Sequence, residues 1–280
     1  MTHDSTFLLG GDLKVRRLGF GAMRLTGTGV WGQPKDVAGC KAVLRRVVEL
    51  GENFIDTADS YGPEVSETLI GETLHPYPPG LVIATKGGFQ RSGPNQWTPD
   101  GRPSHLRAAL EGSLKRLKVE RIDLHQFHAP DPKVPYTESL GALADLQKQG
   151  KIRHIGISNV SVQQLAEAQK IVKVVSVQNR YSLIDRQSEP VLRACTEQSI
   201  AFIPFFPLGA GDLKAAKKLE EIAARTKATA HQVALAWLLQ RAGNVLPIPG
   251  TSSVSHLEEN DGASKIALSA EDVTLLDAAA

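Results

Sequence analysis

The sequence predicts an α/β fold, a (β/α)8 or TIM barrel with a short N-terminal β-hairpin. Three observations predict it. Eight apolar segments of strand length alternate with helical segments, 280 residues is a typical length for a closed barrel of parallel strands, and no Pro/Gly/Ser-rich linker divides the chain. We therefore expect residues 1–280 to form a single barrel domain.

The elements follow in order along the chain. Residues 7–9 and 15–17 flank the turn sequence Gly10-Gly11-Asp12 and predict the hairpin. Apolar runs predict barrel strands at residues 18–25, 53–58, 81–86, 122–128, 152–159, 174–181, 200–206 and 245–248. Helical periodicity predicts helices at residues 35–50, 64–74, 104–118, 137–149, 161–171, 187–198, 214–226 and 229–241, with further helices from Ser255 and from Ser269, where a capping box begins.

An open, doubly wound sheet is the alternative fold. A dinucleotide-binding sheet of that kind carries a Gly-x-Gly-x-x-Gly turn after its first strand. Gly19 and Gly21 match the first two positions, but Arg24 stands where the third glycine would be. The barrel is therefore the favoured fold.

Composition disfavours some classes of binding partner and indicates the cellular compartment. The chain has 32 basic and 30 acidic residues, giving a net charge of +2 without a basic block. This disfavours nucleic acid and membrane surfaces as partners. The start lacks the pattern of a secretory signal, and no apolar run is long enough to cross a bilayer, so we expect a cytoplasmic protein. Cys40 and Cys195 lack metal-ligand spacing and are predicted to be reduced, buried thiols.

Polar side chains stand at the carboxyl ends of three consecutive predicted strands. Asp56 lies near the end of the second strand, with Tyr61 in the loop after it. Lys86 ends the third strand and His128 ends the fourth. Each alone also fits a structural explanation, such as an Asx turn, a solvated lysine or a hydrogen-bonded histidine. Because the carboxyl ends of barrel strands share one face, the four together predict an active site there.

This set of side chains is suited to carbonyl chemistry. A tyrosine has a pKa of about 10, and a neighbouring lysine ammonium stabilises its phenolate. Asp56 would orient Lys86, and a neutral His128 could donate a hydrogen bond to a substrate oxygen. Tyr61 could then protonate a carbonyl oxygen while a hydride arrives at carbon. No side chain supplies a hydride, so a nicotinamide cofactor is implied.

The chain resembles the aldo-keto reductases. Matching stretches run through nearly the whole chain in the family's order, at residues 19–23, 54–62, 84–87, 122–128, 151–159, 248–253 and 256–260. The resemblance implies NADPH-dependent reduction of an aldehyde or ketone to the alcohol by a catalytic tetrad, with Tyr61 as proton donor and Asp56, Lys86 and His128 as the other members. His125 is expected to face the opposite side of its strand from His128.

The resemblance also implies a binding site for NADP(H), with NAD(H) less favoured. Two positions depart from the family pattern. Gly250 stands where many relatives have lysine, and His256 stands where many have arginine, a better partner for the 2′-phosphate. Thr251, Ser252 and the helix from Ser255 still offer donors to a phosphate. The implied cofactor residues are Gly21, Met23, Asp56, Ser158, Asn159, Gln178, Phe205, Phe206, Pro207, Leu208, Gly209, Gly250, Thr251, Ser252, His256, Glu259 and Asn260.

The expected partner is a small carbonyl substrate, bound by a monomer or a weak homo-oligomer. Trp31, Phe89 and Trp97 are the aromatic residues placed to line its site, together with Tyr61 and His128. Trp97 fits equally well as a loop aromatic packed on the barrel rim. Residues 29–34, 204–209 and 248–253 resemble the bacterial branch that includes pyridoxal reductases. Pyridoxal is therefore the specific expectation, and a generic aldehyde or ketone is the broader one.

Three other functions are weighed. A Schiff-base aldolase using Lys86 is disfavoured, because an Asp56 partner keeps that amine protonated. A metal-dependent hydrolase using Asp56, His125 and His128 is disfavoured, because His-x-x-His on a strand directs the two rings to opposite faces, and no metal is expected. A regulatory or sensor protein that binds the cofactor with little turnover is the alternative to the reductase.

Overall fold

A computed structural model describes residues 5–209 and 216–278. The N-terminal hairpin is confirmed: β1 (Thr6–Leu9) and β2 (Leu13–Arg16) pair antiparallel, with Leu9 opposite Leu13. Gly10 turns the chain with a φ of 67°, and a Cβ there would lie 2.4 Å from the His154 ring. A glycine is therefore needed at this turn.

In chain order the strands after the hairpin are β3 (Phe20–Gly21), β4 (Phe54–Asp56), β5 (Val82–Gly87), β6 (Phe89–Gly93), β7 (Gln96–Pro99), β8 (Ile122–Phe127), β9 (Ile152–Ser158), β10 (Val174–Arg180) and β11 (Ala201–Phe205). Seven of them form the main sheet, in the order β3-β4-β5-β8-β9-β10-β11. Each neighbouring pair in that order is parallel, and the connections between them contain helices.

The eighth predicted strand, residues 245–248, closes the barrel without forming a regular strand. On one side the Leu246 amide donates to the Phe202 carbonyl at 2.8 Å. On the other side the Gly19 amide donates to the Pro247 carbonyl at 2.9 Å. Pro247 and Pro249 have no N–H, so the ladder is interrupted although the segment lies between β11 and β3. The predicted barrel is confirmed in this form.

Helices cover the outside of the sheet. Ser161, Thr229 and Ser269 each open a helix with a capping box, as predicted for Ser269. The predicted helix at 214–226 begins outside the described residues. Among the described residues no helix is both long and apolar enough to span a membrane. The helices are α1 (Val37–Glu49), α2 (Val65–Leu74), α3 (Pro103–Leu117), α4 (Tyr136–Lys148), α5 (Val162–Ala168), α6 (Glu189–Glu197), α7 (Ala216–Thr226), α8 (Ala230–Arg241), α9 (Val254–Gly262) and α10 (Ala270–Asp277).

One local prediction was wrong, and one local element was not predicted. The strand predicted at residues 18–25 is regular only at Phe20–Gly21, because the chain then turns into a 3-10 helix, Ala22–Leu25. The β6–β7 hairpin was not predicted. Its turn contains Asn95 in the left-handed conformation, with a φ of 57°, and its strands carry charged and amide side chains that do not alternate with apolar ones.

Two apolar layers position the site. One lies between the sheet and the helices. The other fills the barrel interior and is closed at its base by the hairpin, with Leu9, Leu13, Val15, Phe54, Val82, Ala84, Leu124, Val175, Ala201, Ile203, Leu246 and Ile248. Two residues beyond Phe54, Ala84 and Leu124 on their strands come Asp56, Lys86 and Gln126. Since strand side chains alternate, these polar groups also point inside, above the apolar layer.

Candidate active site

Lys86 and Asp56 form a fully buried ion pair at the carboxyl end of the barrel. Lys86 Nζ lies 2.5 Å from Asp56 Oδ1 and donates to the Thr57 carbonyl at 2.8 Å. Burial lowers the pKa of Lys86, but the charges and hydrogen bonds of Asp56 and Tyr61 together outweigh it, so the pKa is raised overall. Lys86 is therefore a fixed ammonium. It does not line the cavity itself, because it lies beneath the cavity floor.

The Tyr61 hydroxyl lies directly beside this ammonium, 3.3 Å from Lys86 Nζ. The loop that carries it is tied by bonds from the Tyr61 amide to the Ala58 carbonyl and from the Ser66 amide to the Tyr61 carbonyl. Burial raises the pKa of Tyr61, and the charge of Lys86 offsets part of that rise. The lysine acts in the expected direction, but burial is the larger effect, so Tyr61 is protonated at neutral pH.

His128 follows β8 and faces the same cavity. Its Nδ1 lies 3.4 Å from Ser60 Oγ, and its ring meets the Tyr61 and Phe89 rings edge to face, with centroids 5.9 and 4.6 Å away. Burial, reinforced by the charge of Lys86, lowers the pKa of His128 well below its ordinary value. The ring is therefore neutral and can donate one hydrogen bond.

The second oxygen of Asp56 is held by two amides. Gln126 Nε2 donates to Asp56 Oδ2 at 3.0 Å, and Gln178 Nε2 donates to it at 2.8 Å. Gln126 is fully buried. Gln126 was not among the predicted site residues, although its position two residues after Leu124 and two before His128 marks it as facing the interior.

A cavity of about 620 Å³ opens above these side chains. Most of the predicted site residues line it: Gly21, Met23, Asp56, Tyr61, Phe89, Trp97, His128, Ser158, Asn159, Gln178, Phe205, Phe206, Pro207, Leu208, Gly250, Thr251, His256, Glu259 and Asn260. These residues come from the carboxyl ends of different strands and from α9. The barrel therefore brings together groups that are up to about 240 residues apart in the chain.

Besides Lys86, three predicted residues do not line the cavity. Trp31 stacks on Arg91, 5.8 Å from its guanidinium carbon. Gly209 lies against Ile184, and Ser252 is exposed to solvent. In each case the conformation of the turn determines which side of the loop faces the cavity. Sequence spacing does not specify that conformation. Conversely, the lining includes residues that were not predicted as site residues: Arg24, Val30, Asn95, His231, Ile248 and Pro249.

The far end of the cavity is built by α9 and its neighbours. Ser253 caps α9 without a side-chain bond to its first amides, so α9 presents amide donors there. His256 lies in its first turn, and His231 Nδ1 lies 3.9 Å from Glu259 Oε1. The backbone explains why position 250 is glycine, because a Cβ there would lie 2.5 Å from the Gly21 carbonyl oxygen.

His125 lies apart from this site. Both of its ring nitrogens are buried without a hydrogen-bond partner among the described residues, and burial lowers its pKa to about 4. A Cβ on Gly87 would lie 3.5 Å from the His125 ring and 3.2 Å from Ala109 in α3, which places that ring on the helix side of the sheet. Among residues 5–209 and 216–278 no group of three or more His, Cys, Asp and Glu could hold a metal ion.

Comparison with known proteins identifies the family. Residues 17–280 match the model of the aldo/keto reductase family. The chain is 51% identical to an uncharacterized oxidoreductase of Schizosaccharomyces pombe, over 95% of this chain and 87% of the relative. It is 44% identical to pyridoxine 4-dehydrogenase of Escherichia coli, over 98% and 97%. An aldo/keto reductase of Klebsiella pneumoniae, solved with NADP and acetate, superposes with a TM-score of 0.82 at 25% identity, over 98% and 94%. The chain therefore belongs to the aldo/keto reductase family of oxidoreductases.

Proposed function

We propose that this oxidoreductase reduces an aldehyde or ketone to the alcohol with NADPH, and that Tyr61 donates the proton. One observation carries the proposal: the Tyr61 hydroxyl lies 3.3 Å from a buried ammonium that Asp56 fixes in place, with a neutral His128 on the same cavity. This arrangement suits protonation of an oxygen that develops negative charge.

The cavity fits a nicotinamide cofactor by the chemistry of its lining. Ser158, Asn159 and Gln178 offer hydroxyl and amide groups to a carboxamide, and Phe205 offers a ring for stacking. Gln178 directs its nitrogen to Asp56, so its oxygen is the atom that would accept a bond from the carboxamide. Thr251 and the first amides of α9 would hold phosphate oxygens. When bound, the reduced cofactor supplies the hydride.

The side chains then complete the reaction. The carbonyl oxygen accepts hydrogen bonds from the Tyr61 hydroxyl and from the neutral His128 ring. As the hydride adds to the carbonyl carbon, the C=O π pair moves to oxygen and takes the proton from Tyr61. The resulting phenolate is stabilised by Lys86 and recovers its proton from solvent. Asp56 keeps Lys86 charged and aligned throughout.

NADPH is proposed over NADH for two reasons. The Klebsiella neighbour was solved with NADP, and the end of this cavity formed by α9 offers Thr251, His256 and the α9 amides to a phosphate. His256 makes this preference weaker than an arginine would, because an imidazole cannot offer the bidentate contact of a guanidinium.

Pyridoxal is the substrate we propose. The Escherichia coli relative, 44% identical over nearly the full length, is named pyridoxine 4-dehydrogenase. Phe89 and Trp97 line the cavity beside His128, with ring centroids 4.6 and 6.4 Å from its imidazole. Their rings suit a flat aromatic aldehyde.

The test is the loss of reduced-cofactor absorbance with NADPH and NADH in parallel, against pyridoxal and benzaldehyde. We expect turnover of both aldehydes, with NADPH preferred and pyridoxal the better substrate. Turnover of benzaldehyde alone would contradict pyridoxal but keep the reductase. Tight NADPH binding without reduction of either aldehyde would favour the sensor function and contradict the enzyme.

A further inference from the structure

Arg91, in the β6–β7 hairpin, donates all of its guanidinium N–H groups to backbone carbonyls around the mouth of the cavity. A guanidinium has five N–H groups, and five carbonyl oxygens lie within hydrogen-bond distance of this one. The Nε donates to Gln96 at 2.8 Å, Nη1 to Val30 at 2.9 Å and Ser60 at 2.8 Å, and Nη2 to Gly29 at 3.0 Å and Gly93 at 3.3 Å.

These carbonyls belong to three separate segments, and each segment carries part of the cavity wall. The loop at residues 27–32 supplies Val30, the loop after β4 supplies Tyr61, and the β6–β7 hairpin supplies Phe89, Asn95 and Trp97. Further backbone bonds join the same segments, from the Asn95 amide to the Gly29 carbonyl and from the Gly62 amide to the Val30 carbonyl. Arg91 is the side chain that bonds to all three.

The guanidinium also fixes the aromatic wall. Its carbon lies 3.6 Å from the centroid of the Trp97 ring and 5.8 Å from that of Trp31, so its plane is stacked against Trp97. Trp97 in turn meets the Tyr61 ring edge to face at 6.3 Å. Trp31, which was expected to contact substrate, instead packs on Arg91.

We propose that Arg91 is a positioning residue that joins these three segments into the substrate wall, and that it does not bind the substrate itself. The proposal rests on the proposed carbonyl reduction. Because its N–H groups are already committed to carbonyls, Arg91 has no donor to offer a carboxylate or phosphate of a substrate. This role depends on the planar guanidinium, whose five N–H groups have a fixed geometry that a lysine ammonium cannot reproduce.

The experiment compares Arg91→Met and Arg91→Lys with the wild type and with Arg107→Met, which removes an exposed arginine paired with Asp145 on the outer helices. Each protein is assayed with NADPH against a neutral aldehyde, 4-nitrobenzaldehyde, and an anionic one, 4-carboxybenzaldehyde. NADPH affinity is measured separately by fluorescence titration. A readout that needs no turnover is ¹⁹F NMR of protein labelled with 5-fluorotryptophan, in which buried Trp237 is the internal reference.

We expect KM to rise about tenfold or more for both aldehydes in both Arg91 variants, with kcat changed about threefold or less and NADPH affinity unchanged. The Trp97 and Trp31 resonances should shift or broaden while that of Trp237 stays in place. Arg107→Met should resemble the wild type. If Arg91→Met fails to fold, the proposal is tested with Arg91→Lys and with Arg91→Ala rescued by millimolar methylguanidine.

Three results would overturn the proposal. Full activity in Arg91→Lys would mean that charge alone matters. A loss confined to the anionic aldehyde would mean that Arg91 binds the substrate. Unchanged Trp97 and Trp31 resonances would mean that Arg91 does not hold the wall. The NMR result stands even if no aldehyde is reduced by the wild type, so failure of this proposal is distinguishable from failure of the proposed reaction.

Discussion

The Lys86 ammonium lies 3.3 Å from the Tyr61 hydroxyl, beneath the cavity in which that hydroxyl is presented. The lysine is fully buried, yet its pKa is raised, because Asp56 and Tyr61 together outweigh the effect of burial. A permanent positive charge is thereby placed where a phenolate would form.

Tyr61→Phe removes the transferable proton and leaves the rest of the cavity in place. We expect kcat for carbonyl reduction to fall about a thousandfold, with NADPH affinity within about twofold of the wild type. The measurements are steady-state loss of NADPH absorbance and a fluorescence titration. Tyr77→Phe is the control, since the Tyr77 hydroxyl bonds to the Leu117 carbonyl away from the cavity. Retained reduction in Tyr61→Phe would contradict the assignment of the proton donor.

The pH dependence of reduction follows from the same residues. Burial raises the pKa of Tyr61 above its ordinary 10, with Lys86 offsetting part of the rise, and the protonated form is the active donor. Burial and Lys86 lower the pKa of His128 well below 6.5, so its ring stays neutral. We therefore expect kcat for reduction to be flat between about pH 6 and pH 9. A limb with an apparent pKa near 7 would require a different proton donor.

Gln126→Leu tests the support of Asp56. It removes the 3.0 Å bond to Asp56 Oδ2 and leaves the bond from Gln178. We expect kcat to fall about tenfold, because Asp56 can then turn and misalign Lys86. The isosteric Gln126→Glu should lower kcat further, since it places a second carboxylate beside Asp56. Kinetics and a melting curve separate this effect from unfolding. An unchanged kcat in both variants would show that Gln126 only fills space.

His256→Arg tests the proposed phosphate end of the cavity. The side chain lies in the first turn of α9 and is exposed on the cavity lining. A guanidinium can bind a 2′-phosphate through two bonds, so we expect NADPH to bind about tenfold more tightly. NADH lacks that phosphate and is the internal control. An equal gain for both cofactors, measured by fluorescence titration, would place the 2′-phosphate elsewhere.

The buried carboxyl of Glu52 makes the stability of the folded state depend on pH. It is 2% exposed, and burial followed by the charge of Asp261 raises its pKa from 4.5 to about 8. The folded chain therefore holds this proton more tightly than the unfolded chain. As pH rises from about 4.5 to about 8, the unfolded state releases the proton first and the folded state loses stability. Glu52→Gln removes this loss.

We expect Glu52→Gln to raise Tm by at least about 2–4 °C at pH 8.5, corresponding to about 1 kcal/mol or more, and to have little effect at pH 4.5. Thermal unfolding followed by circular dichroism at both pH values is the measurement. Glu120→Gln, at an exposed position, is the control. An equal shift at the two pH values would show that the gain does not come from the buried charge.

Much of the fold was predictable because it depends on local pattern. The alternation of apolar strands with helices predicted the barrel, and the shared face at the carboxyl ends of its strands predicted that Asp56, Lys86 and His128 lie together. Strand alternation predicted that His125 faces the other side. The β6–β7 hairpin was not predictable in the same way. Its two short strands have Phe89 and Trp97 as their large apolar residues, too few to give a periodic signal, and Arg91 of β6 ties them to the Val30 and Ser60 carbonyls, far away in the sequence.

The sequence by itself determined the barrel, the family and the residue types of the site, because periodicity and motifs are properties of neighbouring residues. Tertiary structure decided which groups touch. It placed Gln126 under Asp56, made burial rather than Lys86 the larger influence on the pKa of Tyr61, and moved Trp31 from the cavity onto Arg91. Such contacts join residues far apart in the chain, and their distances and dielectric surroundings exist only once the strands have closed into a barrel.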